Sequence, residues 1–164
     1  MNKVRRNAFP RNQQGVGLIE TMIAAVVLLV GLMAVMALFA VAVAQNKAQG
    51  DYGTQVTTFG QDKLEQLRSL PNFNDPGLCG AMAANVTCGG VDPANPQAGY
   101  VDYLSPTGVV VGGAAQATFT RQWQIDTDAT GRIKTITVQT TAPAVANQTA
   151  PITILTTFKS KDGF

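Results

Sequence analysis

The sequence contains no histidine. That excludes imidazole triads, histidine metal sites and imidazole acid–base chemistry. Cysteine is scarce as well: only Cys79 and Cys88 occur, and a two-thiolate metal site lacks further ligands. Charged residues make up 13% of the chain, and none lies between Met22 and Ala44. Proline is missing from Val16 through Leu70, so nothing in that interval forces a helix to break. The remainder offers no nucleophile–base pair, metal cluster or phosphate loop; no enzymatic activity, cofactor or metal is expected.

What is present is a long apolar run. Hydrophobic residues form 46% of the chain, and much of that material sits between residues 16 and 44. From Met22 to Ala44 only Gly31 interrupts the aliphatic run. At 1.5 Å per residue such a helix crosses a hydrocarbon core of about 30 Å. Ahead of it stand Lys3, Arg5, Arg6 and Arg11 with no acid among them, leaving eight basic residues against ten acidic ones in the rest. A local positive arm suits the cytoplasmic side of a membrane. With no basic face or aromatic platform, no nucleic-acid partner is indicated.

The run competes with a secretory signal, since "AVA" at Ala42 to Ala44 passes as a cleavage site and would leave a chain starting at Gln45. It is longer, however, than the apolar region of about 7–15 residues that a signal carries. It also holds one acid, Glu20, and a carboxylate well inside a membrane costs roughly 2.5–3.5 kcal/mol on insertion scales. Neither a signal nor a plain anchor has a use for it.

The words around that acid, "QQGVGLIET", resemble the class III leader of type IV pilins and type II secretion pseudopilins. In that family a short basic leader ends in glycine, and a glutamate stands fifth in the mature chain. Matched residue by residue, Gly15 ends the leader, Val16 becomes the N-terminus and Glu20 is the fifth residue. Val16 and Gly17 depart from the usual Phe and Thr or Ser. A second stretch, "FGQDKLEQLRSLP" from Phe59 to Pro71, is similar to the segment closing the long helix in minor pilins of the PilV type and related minor pseudopilins. Major pilins commonly carry a mid-helix proline and a C-terminal disulfide; this chain has neither.

The residues predict four segments: a leader over 1–15, a transmembrane or fibre-core helix over 16–44, its amphipathic continuation over 45–70, and a periplasmic β-rich domain over 71–164. In the continuation Tyr52, Val56, Phe59, Leu67 and Leu70 recur at helical spacing, a stripe fit to pack a sheet. Gly50 and Gly53 are placed to let the helix bend, and Pro71 ends it. Asn72 to Gly99 reads as loop. The number and close spacing of Cys79 and Cys88 read as one disulfide in an oxidising compartment, stabilising the loop by roughly 2–3 kcal/mol.

Beyond Tyr100 the runs "YVDYL", "QATFTRQWQID", "RIKTITVQTT" and "PITILTTFKS" predict three or four antiparallel strands. Phe119, Trp123 and Ile125 share one face, as do Ile152, Ile154 and Phe158, and both sets are expected to cover the helix stripe. The acids of "DTDATG", Asp126 to Gly131, imitate the start of a calcium loop, but the twelfth position holds Thr137, and a hairpin turn is expected. The fold class is α+β: a long N-terminal helix packed on a small antiparallel β-sheet.

The resemblance implies a minor pilin, with the function in assembly, adhesion or motility that this entails. Prepilin peptidase would cut between Gly15 and Val16 and N-methylate Val16. The subunit would wait in the inner membrane, N-terminus cytoplasmic and C-terminal domain periplasmic. The assembly machinery would then add it to other pilin subunits in an extracellular pilus. Glu20 would lie about 6 Å along a helix from the Val16 amine and pair with it or with a neighbour's. A minor pseudopilin in a periplasmic pseudopilus, and a plain membrane-anchored periplasmic binding protein, are the alternatives.

Overall fold

The computed structural model describes residues 17–145 and 148–161. The expected leader and the Gly15–Val16 cleavage position lie outside the described residues. The chain divides into two compact units, Met1–Val43 and Ala44–Phe164.

In the first unit the described residues form the beginning of a single helix, α1, spanning Leu18–Ser69. Every described residue up to Val43 is exposed. The exposed side chains include Leu28 at 65% and Phe39 at 66%. Apolar residues occupy all sides of the helix, so no single face can be turned inward; this is the surface of a helix meant for lipid or for protein all round. Among the described residues it is the one helix long and apolar enough to cross a membrane, as a single-pass anchor requires.

In the second unit α1 continues without a break through Gly50 and Gly53, and its periodicity changes. Val56, Gly60 and Leu67 are buried, with Tyr52, Phe59, Leu64 and Leu70 packed around them. These positions return every three or four residues and form one stripe. The helix ends at Ser69, two residues before Pro71.

Against that stripe lies an antiparallel sheet of β1 (Thr87–Gly89), β2 (Val101–Leu104), β3 (Val110–Val111), β4 (Phe119–Thr127), β5 (Ile133–Thr141) and β6 (Ile152–Ser160). The order is β3-β2-β4-β5-β6, with β1 pairing β4 beside β2. Two strands exceed expectation, both too short to show an alternation. β1 also overturns the reading of Asn72 to Gly99 as pure loop, as does a single 3-10 turn at Pro76–Leu78. The four expected runs become β2, β4, β5 and β6.

The core has two parts. Leu67 and Leu78 pack with Trp123, Ile125, Ile136 and Val138. Val56 packs with Leu104, Phe119 and Ala142, where the rings of Tyr52 and Phe59 meet Phe119 edge-on. Phe119, Trp123 and Ile125 thus cover the helix as expected.

The last strand is a correction. Ile152, Ile154 and Phe158 are 50%, 59% and 59% exposed and point away from the helix. The alternate set faces it: Thr153 bonds Thr57 at 3.1 Å, and the Lys159 ammonium donates to the carbonyls of Arg68 and Leu70. Leu155 lies over Gly60, where an added Cβ would sit 3.1 Å from its Cδ1 and 3.3 Å from Thr140 Oγ1. The helix comes so near the sheet here that a side chain at this position would need Leu155 or Thr140 to give way by a few tenths of an ångström.

Candidate functional site

The chemistry-bearing residues fall in separate places. Glu20 lies in the first turn of α1, where an acid complements the positive end of the helix dipole. Its amide donates to the Gly17 carbonyl at 2.9 Å, and the Thr21 hydroxyl donates to the Leu18 carbonyl at 2.8 Å. Around the carboxylate the helix surface is made of Ile19, Ile23, Ala24, Val27 and Leu28. No ion pair to Glu20 occurs among the described residues, so among them Glu20 is a lone charge on an apolar surface. Its expected counter-charge, the Val16 amine, belongs to the positions outside the described residues, as does Gly15.

Cys79 and Cys88 are joined, with their Cα atoms 6.2 Å apart. Cys79 follows the 3-10 turn with φ 69°, and Cys88 sits in β1 opposite Ile125. The Tyr100 hydroxyl donates to Cys79 Sγ at 3.0 Å. The bond therefore ties the segment after the helix to the sheet, a structural task.

The Asp126–Gly131 stretch is a hairpin turn. Asp128 Oδ1 accepts from the amides of Arg132 and Ile133 at 2.8 and 2.9 Å, while its other oxygen accepts from the Thr130 hydroxyl. Those bonds, the Thr130 hydroxyl foremost, hold the Asp128 carboxyl down at about 2. Asp126 instead accepts from Thr87 at 2.5 Å and from Gln124. The two acids serve different partners, and no metal-holding cluster occurs among the described residues.

Two polar clusters escaped sequence reasoning. Asp102 on β2 receives Arg121 Nη2 at 2.6 Å and Lys63 Nζ at 3.2 Å, and Arg121 Nη1 donates to the Phe59 carbonyl at 2.8 Å. This joins helix to sheet through charges that are almost wholly covered. Lys63 also lies 3.8 Å from the Trp123 ring centroid. Burial, with the Arg121 charge, lowers its pKa against the opposing pull of Asp102.

The second cluster centres on Lys134, which is fully buried. Its ammonium donates to the carbonyls of Phe73, Leu78 and Gly80 at 2.8, 2.7 and 2.7 Å and lies 4.6 Å from the Phe73 ring. Three donors meet three acceptors. Burial, and then the charge of Lys159, lower its pKa. The signal for both clusters was parity: Arg121 alternates with Phe119 and Trp123, and Lys134 with Ile136 and Val138, so both point inward.

No family model, curated protein or solved structure matches the chain.

Proposed function

We propose that the chain is a minor pilin of a type IV pilus. One observation carries the reading: a helix apolar and exposed on every side through Val43 bears a single acid in its first turn and then becomes the core helix of an α+β domain. Lipid alone would satisfy the apolar surface but would leave the acid without a use. A fibre of parallel copies gives it one, because each neighbour brings an amine to the start of its own helix.

In this reading prepilin peptidase removes residues 1–15 and N-methylates Val16. Removing Lys3, Arg5, Arg6 and Arg11 matters physically, since four cations could not enter an apolar fibre core without heavy cost. Glu20 then pairs with its own amine in the membrane and with a neighbour's in the fibre. In low dielectric an unpaired charge is expensive and a matched pair much less so, so Glu20 favours docking at the register that supplies the second amine.

The N-terminal mass of the membrane-extracted protein tests this. A chain starting at methylated Val16 supports the pilin, one starting at Gln45 the secretory signal, and an intact Met1 the plain anchor. Glu20→Gln is expected to leave cleavage intact while lowering incorporation into fibres severalfold; normal incorporation would remove the register role. Deletion separates the two fibre types: lost twitching and adhesion mark a pilus, lost enzyme secretion a pseudopilus.

A further inference from the structure

We propose that the cleft between the last turns of α1 and the sheet is a binding pocket for a small aryl carboxylate. The cavity holds about 350 Å³ and is lined by Leu67, Leu70, Pro76 and the rings of Tyr100 and Trp123, with Lys63 and Gln66 as its polar side chains. Ligand pockets run from roughly 300 to 1,000 Å³ and typically combine an apolar lining with a few placed polar groups. Tyr100 and Trp123 stand 6.0 Å apart at a tilt of 58°. A flat ring can meet either one offset or edge-on, as aromatic pairs prefer.

The charge beside this cavity is unbalanced. Lys63 and Arg121 share one carboxylate, Asp102, at 3.2 and 2.6 Å, and their side chains are only 11% and 10% exposed; two cations against one anion leave a net charge of +1. Among the described residues no other carboxylate pairs with either cation. A covered charge is costly unless a counter-charge and hydrogen bonds meet it. Arg121 is well met, with Nε and Nη2 on Asp102 and Nη1 on the Phe59 carbonyl. Lys63 is not.

The Lys63 ammonium carries three donors, and Asp102 and the face of the Trp123 ring are what engage them. Lys134 shows the completed case, with three donors on three carbonyls. The difference in surroundings is as sharp: Lys134 is fully buried, whereas Lys63 lines the cavity. Burial and the Arg121 charge depress the Lys63 pKa against Asp102, as expected of an under-compensated cation.

An anion entering the cavity supplies the missing charge. The rest of the lining selects the body that carries it, because an apolar ring displaces water from Leu67, Leu70 and Pro76, whereas a polyhydroxylated acid buries hydroxyls there with Gln66 as the one other polar side chain. The carboxylate meets Lys63 and the ring fills the apolar part. This inference depends on the soluble unit alone and stands or falls separately from the pilin reading.

Trp123 is the one tryptophan of the chain, so its fluorescence reports directly on the cavity. The full chain in liposomes is titrated with phenylpropionate, with phenylpropionamide, which keeps the shape without the charge, and with glucuronate, which keeps the charge on a polar body. Phenylpropionate should shift the Trp123 emission saturably and raise the unfolding midpoint, binding at least about tenfold more tightly than either of the others. Lys63→Met keeps most of the stem over Trp123 and should lose at least about tenfold in affinity for phenylpropionate. The three compounds are compared on the unaltered protein, so that result does not depend on how the variant folds. No saturable response in either readout overturns the proposal, and so does an amide bound as tightly as the acid. Tighter binding of glucuronate, or undiminished binding of phenylpropionate by a folded Lys63→Met, overturns it as well.

Discussion

One helix lives two lives. From Leu18 to Val43 its apolar side chains face outward on every side; from Ala44 to Ser69 it buries a single stripe and turns Asp62, Glu65 and Arg68 to solvent. Backbone and hydrogen bonding are the same in both. The partner differs: the second half brings its own sheet in the same chain, while the first half has to find its cover elsewhere. Mutations in the second half should therefore read out as stability, and mutations in the first as insertion or assembly.

The strongest break of that contrast lies at Lys134. Lys134→Ala strands three carbonyls that now accept from its ammonium and should cost the soluble unit about 3 kcal/mol in denaturant unfolding. Lys134→Met keeps the volume but not the bonds and should cost about 2 kcal/mol. The pH slope gives an independent check. Because folding lowers the Lys134 pKa from 10.5, the unfolded chain holds a proton that the folded one has lost in the window just below 10.5. Stability rises with pH there, and Lys134→Met should flatten the rise. Glu20→Gln, by contrast, should leave the unfolding midpoint unmoved.

Glycine sharpens the comparison within one element. An added Cβ at Gly60 meets Leu155 at 3.1 Å, whereas at Gly31 nothing lies within 4 Å. Gly60→Leu should force helix and sheet apart and destabilise the domain by about 2 kcal/mol. Gly31→Leu should leave thermal unfolding within about 0.5 kcal/mol of wild type. Any effect of Gly31→Leu should appear instead in packing against other helices, measured, under the proposed pilin function, as incorporation into fibres.

Much of this was legible in residues and some was not. The helix and its stripe followed from a change of periodicity near residue 45, and the β4 face from the alternation of Phe119, Trp123 and Ile125. Glu20 stood out because an acid in an apolar run is anomalous. β6 was misread because alternation identifies two faces but not which one is turned inward. Ile152, Ile154 and Phe158 are the more apolar set, yet the register with β5 and the bonds of Thr153 and Lys159 to the helix direct the other set inward. The Lys134 cage was half legible: parity put the lysine inside, but its acceptors depend on the path of Phe73 to Gly80, which no periodicity encodes.

Acid provides the finest contrast, because Glu20 is the single ionisable residue between Leu18 and Ala44, while the soluble unit holds Asp128 at a turn built around its charge. Folding lowers the Asp128 pKa from 3.8 to about 2. A carboxylate with a depressed pKa adds stability that is present above the unfolded value and is lost as pH falls through the folded one. The loss should therefore run from about pH 4 to about pH 2. Asp128→Asn keeps an oxygen acceptor for the Arg132 and Ile133 amides but cannot titrate, so its unfolding midpoint should fall less steeply than wild type over that interval. At neutral pH the gap between the two should be small, since Asp128 lies at the surface where screening is strong. An unchanged acid slope would mean that the turn is held by its backbone bonds, Asp128 N–H to the Ile133 carbonyl and Gly131 N–H to the Asp128 carbonyl, and not by the charge.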